Sequence, residues 1–129
     1  LELIDHCALV LDIHHHYLKT GEYIEPEDDR YKQLLDSWRG VRPVIHYSYS
    51  RNEWLPEGFD HKTLPNLEQL LESGHKKQKL RAHSDFYPNQ LANDWALRFL
   101  EFADIMAESK GKNIASFALA DRAKETDIL

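Results

Sequence analysis

An aspartate followed closely by three imidazoles, Asp12-Ile13-His14-His15-His16, ends the apolar run Cys7-Ala8-Leu9-Val10-Leu11. Carboxylate and neutral imidazole are the ligand types that borderline and hard divalent ions prefer, and Asp-x-x-His at a strand end can turn both side chains toward one point. The run is internal and follows a strand-like segment, which sets it apart from an affinity tag. The same residues could also be a solvated loop with no ligand. Eight histidines in 129 residues are the anomaly of the composition, and histidine-rich chains often bind metal.

The elements that must position these residues follow from the pattern of apolar positions. Residues 7–13 read as a buried strand. Asp28 or Asp29 caps a helix running to about residue 39, with Tyr31, Leu34, Leu35 and Trp38 at i, i+3, i+4 and i+7 and Gly40 ending it. Residues 41–48 read as a second strand, with Val44, His46 and Ser48 on one face. Residues 50–80 are turn-rich and hold one short helix at about 65–71, capped by Thr63 and turning Leu64, Leu67, Leu70 and Leu71 inward. The basic stretch 75–79 reads as a solvated loop, and 81–87 as a loop carrying His83 and Asp85. A helix starts at Pro88 or Asn89, with Leu91, Trp95, Phe99, Leu100 and Phe102 on its apolar side. Residues 104–108 form the third strand, with Glu108 at its end, and 110–124 a closing helix with Ile114, Phe117, Ala118 and Asp121 on neighbouring turns.

Strands alternating with helices imply an α/β fold with a parallel sheet and right-handed crossovers. Chemistry in such folds gathers at the C-terminal ends of the strands. All three strands put acid or imidazole there: Asp12 and His15, then His46, then Glu108.

The composition, 42% apolar and 29% charged, is that of a globular domain. There is no apolar run of about 20 residues and no signal-peptide layout, so no membrane segment is expected. Cys7, the single cysteine, is expected as a buried structural thiol, in keeping with a reducing intracellular setting. A net charge of −6 argues by itself against a nucleic-acid surface, although bound divalent cations would change that balance locally. Residues 1–5 read as the end of an element that began upstream.

Taken together, Asp12-Ile13-His14-His15, Ser37-Trp38-Arg39-Gly40-x-Arg42-Pro43-x-Ile45-His46-Tyr47-Ser48, His83-x-Asp85 and Asp104-Ile105-Met106-x-Glu108-x-Lys110 resemble the UV damage endonucleases. The resemblance runs from Leu9 to about Lys124. It implies a TIM (β/α)8 barrel related to that of endonuclease IV. It also implies a cluster of divalent ions, manganese with zinc or magnesium as alternatives, and cleavage of damaged double-stranded DNA 5′ of a lesion. Asp12, His15, His46, His83 and Glu108 then resemble the metal ligands, while His14, Ser48 and Asp85 would stand behind them and orient a ligand imidazole. His14 and His16 match no ligand.

Two departures stand out. The family carries, two positions before the strand histidine, a lysine modified to a carbamate that helps hold the metals; here that position is Val44, so one bridging ligand is lost. His46 and His83 also stand farther apart than in the family, so residues 50–80 read as an inserted loop that reshapes the substrate groove. A TIM barrel takes about 250 residues. The chain is therefore expected as one domain, the C-terminal portion of a larger barrel with about three βα units. Competing readings are a metal-dependent sugar isomerase on a similar barrel, and a non-catalytic family member in which loss of the lysine reduced the site to a structural or vestigial metal.

Overall fold

The computed structural model describes residues 3–126. Its elements are, in order, β1 (Leu11–Asp12), α1 (Ile13–Thr20), α2 (Asp29–Asp36), β2 (Val44–Tyr47), α3 (Leu67–Glu72), α4 (Lys77–Leu80), α5 (Gln90–Leu97), β3 (Asp104–Ala107) and α6 (Lys112–Glu125). Two 3-10 turns, Asn52–Trp54 and Arg98–Glu101, complete them. The strands form one parallel sheet in the order β1-β2-β3. The expected α/β class and parallel sheet are therefore present. No described helix is long and apolar enough to cross a membrane.

Consecutive strand order with crossovers of one hand places every connecting segment on the same face. Burial agrees. Ile45 and Tyr47 are buried beneath the helices, whereas Val44 and His46 on the other face are half-exposed. Met106, which pairs with His46, is 52% exposed. The layer under the helices is rich in aromatic rings; some find polar partners, while the hydroxyls of Tyr17, Tyr31 and Tyr87 are buried without one among the described residues. Tyr47 stacks on Tyr87 at 5.0 Å and donates its hydroxyl to Asn93. Trp95 meets Tyr23 edge to face at 4.9 Å and donates Nε1–H to the Ile24 carbonyl, while Tyr31 meets Phe99 at 5.0 Å.

Several expectations are corrected. β1 is two residues long, not seven, because the Leu9 N–H donates to Ser37 Oγ and the Leu9 carbonyl accepts from Trp38 Nε1, which removes both groups from any ladder. Asp12 then caps α1, so His14, His15 and His16 lie on a helix and not in a loop. Cys7 is exposed and belongs to no strand. α2 stops at Asp36, and residues 37–40 form a turn in which Arg39 and Gly40 both have positive φ. Asn66, not Thr63, caps α3, and Leu64 and Leu71 are exposed while Leu67 and Leu70 are buried. The basic stretch is not wholly loop: Lys77 to Leu80 form α4. Leu91 faces out from α5. α6 buries the small residues Ala115 and Ala123 with Leu119, and turns Ile114 and Phe117 outward. Arg122 grips Asp94 with two hydrogen bonds of 3.0 and 2.9 Å, fixing that choice of face.

Asn89, fully buried, ties the 50–80 segment to α5. Its Oδ1 accepts from the Ala92 N–H as an N-cap, and its Nδ2 donates to Tyr49 Oη at 3.1 Å and to the Thr63 carbonyl at 2.6 Å. Replacement by alanine removes the cap and leaves the buried Tyr49 hydroxyl and the part-buried Thr63 carbonyl without this donor. Asn89→Ala is expected to lose about 2–3 kcal/mol of stability, read as a lower urea midpoint at unchanged slope.

Candidate metal centre

Parallel pairing sets Asp12 beside His46, and His46 beside Met106, at the C-terminal ends of the three strands. Glu108 follows β3 directly, held by its own N–H on the Tyr47 carbonyl at 2.8 Å. Ligand-capable atoms of Asp12, His46 and Glu108 consequently lie within 4.8 Å of one another. All three side chains are only partly exposed, from 20 to 34%.

Each carboxylate also carries a histidine. Asp12 accepts the His15 backbone N–H on Oδ1 and the His15 ring Nδ1–H on Oδ2, both at 2.8 Å. That leaves His15 Nε2 free. Glu108 receives His46 Nδ1 at 3.0 Å on one oxygen and His83 Nε2 at 3.4 Å on the other. His83 reaches this position because its loop is pinned on both sides. Ser50 and His83 form an antiparallel bridge, and Ser84 N–H donates to the Tyr49 carbonyl. On the far side Lys110 and Gly111 N–H groups donate to the Ser84 and Asp85 carbonyls at 2.9 and 2.8 Å. The structure thus brings Asp12, His46 and Glu108 into one cluster, with His15 hydrogen-bonded to Asp12 and His83 beside Glu108. The two carboxylates and the His46 imidazole, partly buried and convergent, are a donor set that fits a divalent ion such as manganese or zinc, with His15 and His83 next to the carboxylates.

The residues expected behind the ligands divide. His14 is buried. Ser48 Oγ–H donates to its Nδ1 at 2.9 Å, and its Nε2–H donates to Ser50 Oγ at 3.3 Å, which in turn donates to the Leu80 carbonyl at 2.7 Å. With Nδ1 accepting in this arrangement the ring is neutral. Burial pushes its pKa down from 6.5 to about 4, against the raising influence of Asp12 and with His15 and His83 adding to the fall. Asp85 does not join: its side chain is exposed and faces the Arg51 guanidinium at 3.9 Å. Its contribution is the backbone carbonyl that holds Gly111. His16 turns away from the cluster to Glu22 at 3.2 Å.

Sequence reasoning missed Ser50 and Gly111. Ser50 continues the alternation of 44, 46 and 48, which was the available signal. At Gly111 a Cβ would stand 2.4 Å from the Asp85 carbonyl oxygen, an approach that only glycine permits. A cavity of about 300 Å³ opens next to the loop, between Arg51, Asn52, His61 and the half-exposed Phe86.

No family model, curated protein or solved structure matches the chain.

Two outcomes follow from this geometry. A histidine whose folded pKa lies below its unfolded value binds its proton in the unfolded state first, so stability is lost as pH falls from about 6.5 toward 4. Urea titrations at pH 7 and pH 4 should show wild type losing roughly 3 kcal/mol more than His14→Gln, which lacks the titrating ring. Equal losses would mean that the buried imidazole is not neutral. Gly111→Ala should displace the His83 loop, seen as large amide shifts at residues 83–86 in NMR spectra while the aromatic core signals stay in place.

Proposed function

We propose that the chain is three consecutive βα units of a (β/α)8 barrel of the UV damage endonuclease type, and that it takes part in metal-dependent cleavage of damaged double-stranded DNA. The observation that carries this reading is the convergence of Asp12, His46 and Glu108 within 4.8 Å at adjacent strand ends, with His15 and His83 on the two carboxylates. Strand order without reversal, and helices on one face, support the barrel assignment.

Asp12, His15, His46, His83 and Glu108 would hold the ions, with manganese preferred and zinc or magnesium as alternatives. Bound divalent ions supply charge stabilisation for a phosphodiester and a hydroxide-like nucleophile near neutral pH. The chain's own work is positional. The His15 backbone N–H fixes the Asp12 carboxylate, and the two Glu108 oxygens lie beside the rings of His46 and His83. His14, held neutral between Ser48 and Ser50, locks the start of α1 to the end of β2. The loop of residues 81–87 forms one wall of the groove. Hydrolysis 5′ of the lesion leaves a 3′-hydroxyl and a 5′-phosphate. A DNA substrate places the protein inside the cell.

Val44 favours a second reading. Its hydrocarbon side chain, on the same face as His46 and two residues below it, offers no donor where the family has its modified lysine. A non-catalytic member would keep the ions and lose the reaction.

Metal content by mass spectrometry, measured with nicking of UV-irradiated plasmid, separates these readings. Two or more divalent ions per chain, reduced at least tenfold in affinity by His46→Ala and by Glu108→Ala, together with nicking of irradiated but not intact plasmid, are the expected results. Ions without nicking would favour the non-catalytic member. Turnover of a ketose by a protein inert toward damaged DNA would favour a sugar isomerase. No bound ion would remove the metal centre altogether.

A further inference from the structure

The net charge is −6, yet residues 75–81, His75-Lys76-Lys77-Gln78-Lys79-Leu80-Arg81, hold four cations, and no aspartate or glutamate occurs between Glu72 and Asp85. In the structure this stretch is α4 and its flanks, with Leu80 buried and Lys76, Lys79 and Arg81 exposed. Folding gains little from such an arrangement. Like charges at this spacing repel, and Lys76 occupies the helix N-cap, where the backbone dipole disfavours a cation.

Neutralising partners are missing as well. Among the described residues Lys32, 3.7 Å from Asp29, is the only lysine paired with a carboxylate, and Arg81, like Arg39, has no such partner. Arg30, Arg42, Arg51, Arg98 and Arg122 each have one. Lys77 Nζ donates to the Lys19 carbonyl at 3.5 Å, and the Lys79 ammonium lies 4.6 Å from the centroid of the Trp54 ring, which keeps its charge at the surface.

The position of the patch matters as much as its sign. α4 is fastened to the cluster's own supports. The Leu80 carbonyl accepts from Ser50 Oγ, the hydroxyl that also holds His14, and the Arg51 N–H donates to the Ala82 carbonyl at 3.1 Å. Arg81 precedes His83 by two residues, at most about 7 Å of chain. Phosphates on one DNA strand recur about every 3.4 Å along the helix axis. A phosphodiester held at the cluster would thus have its neighbours, one or two nucleotides away, against Arg81 and α4.

We propose that Lys76, Lys79 and Arg81 form a docking surface for the phosphate backbone of duplex DNA, flanking the bond presented to the Asp12–His46–Glu108 cluster. The location of that bond rests on the function proposed above; the surface itself is electrostatic and requires no bound ion. An otherwise acidic molecule repels DNA elsewhere, so a single basic strip also sets the orientation in which the duplex arrives.

The test is fluorescence anisotropy with a short labelled duplex in the presence of EDTA, between about 50 and 200 mM salt. The triple variant Lys76→Gln, Lys79→Gln, Arg81→Gln should bind roughly tenfold or more weakly. Its slope of log affinity against log salt should be shallower by about three, one for each cation removed, with each single variant losing about one. A triple variant with the same charge removed elsewhere, Lys32→Gln, Arg39→Gln, Lys124→Gln, should keep its slope to within about one. The idea is overturned if wild type does not bind the duplex, if the α4 variants keep its slope, or if the control loses as much. Binding of an acidic peptide in preference to duplex would overturn it too. Nicking that survives with the slope unchanged sinks this surface and leaves the endonuclease. A lost slope in a protein that neither binds metal nor nicks DNA sinks the endonuclease and leaves the surface.

Discussion

β2 pairs on both sides, which sets Ile45 opposite Leu11 and Ile105 and sets His46 opposite Asp12 and Met106. Side chains alternate along a strand, so a slip of one residue on either side would exchange its faces. Ile45 and Tyr47 would leave the aromatic layer, forfeiting about 1.5–3 kcal/mol each, and His46 would enter it. The packing of two large side chains therefore fixes where the imidazole points. Glu108 depends on the same register, because its N–H docks on the Tyr47 carbonyl, one residue past the histidine. The cluster is a by-product of burying the opposite face, and its geometry is as well determined as that core.

What the sequence disclosed and what it concealed follow the same division between short-range and long-range causes. The second and third strands, their parallel relation and the placing of Asp12, His46 and Glu108 at strand ends could be read from apolar runs that stop at acid or imidazole. The length of β1 could not. Its backbone is diverted by Ser37 and Trp38, nearly thirty residues away, and no local pattern announces that. The helical state of the three histidines was signalled, since an aspartate before them is a good N-cap, but the apolar run gave a competing reading as strand. On α6 the sequence favoured large apolar residues. Close packing against α5, with Arg122 on Asp94, instead selects the alanine face. The tie of Asn89 to Thr63, or of Ser50 to Leu80, depends on contacts across residues 50–80 and is invisible in spacing.

The polar groups near the strand ends fall into two electrostatic classes. His14 sits in a closed chain of hydroxyls and a carbonyl, with every nitrogen satisfied and the charge excluded by burial. It rigidifies and does no more. Asp12 and Glu108, by contrast, are half-exposed and brought to within 4.8 Å of each other and of His46. Two carboxylates at such a separation repel by on the order of 3 kcal/mol at the effective dielectric of a protein surface. Imidazole N–H groups offset part of this. A divalent cation would offset more of it, which is the physical argument that supports the proposed metal centre.

The sheet adds a constraint on what surrounds that centre. Because strand order does not reverse, the helices cover one face and leave the other bare. On it stand Val44 and, beside His46, the half-exposed Met106. A doubly wound sheet would have helices on both faces; a barrel turns its uncovered face inward and places its chemistry at the rim. Val44 lies on this bare face two residues before His46, about 7 Å along the strand. A lysine there would reach up to the rim from below, whereas valine leaves apolar surface beneath the cluster. Asp12, His15, His46, His83 and Glu108 do not depend on position 44 for their placement, since registry, the Asp12 cap and the pinned His83 loop hold them. In the proposed metal centre, valine at this position would therefore withhold a donor without moving the others, and its consequence would fall on the number of ions bound and not on the shape of the site.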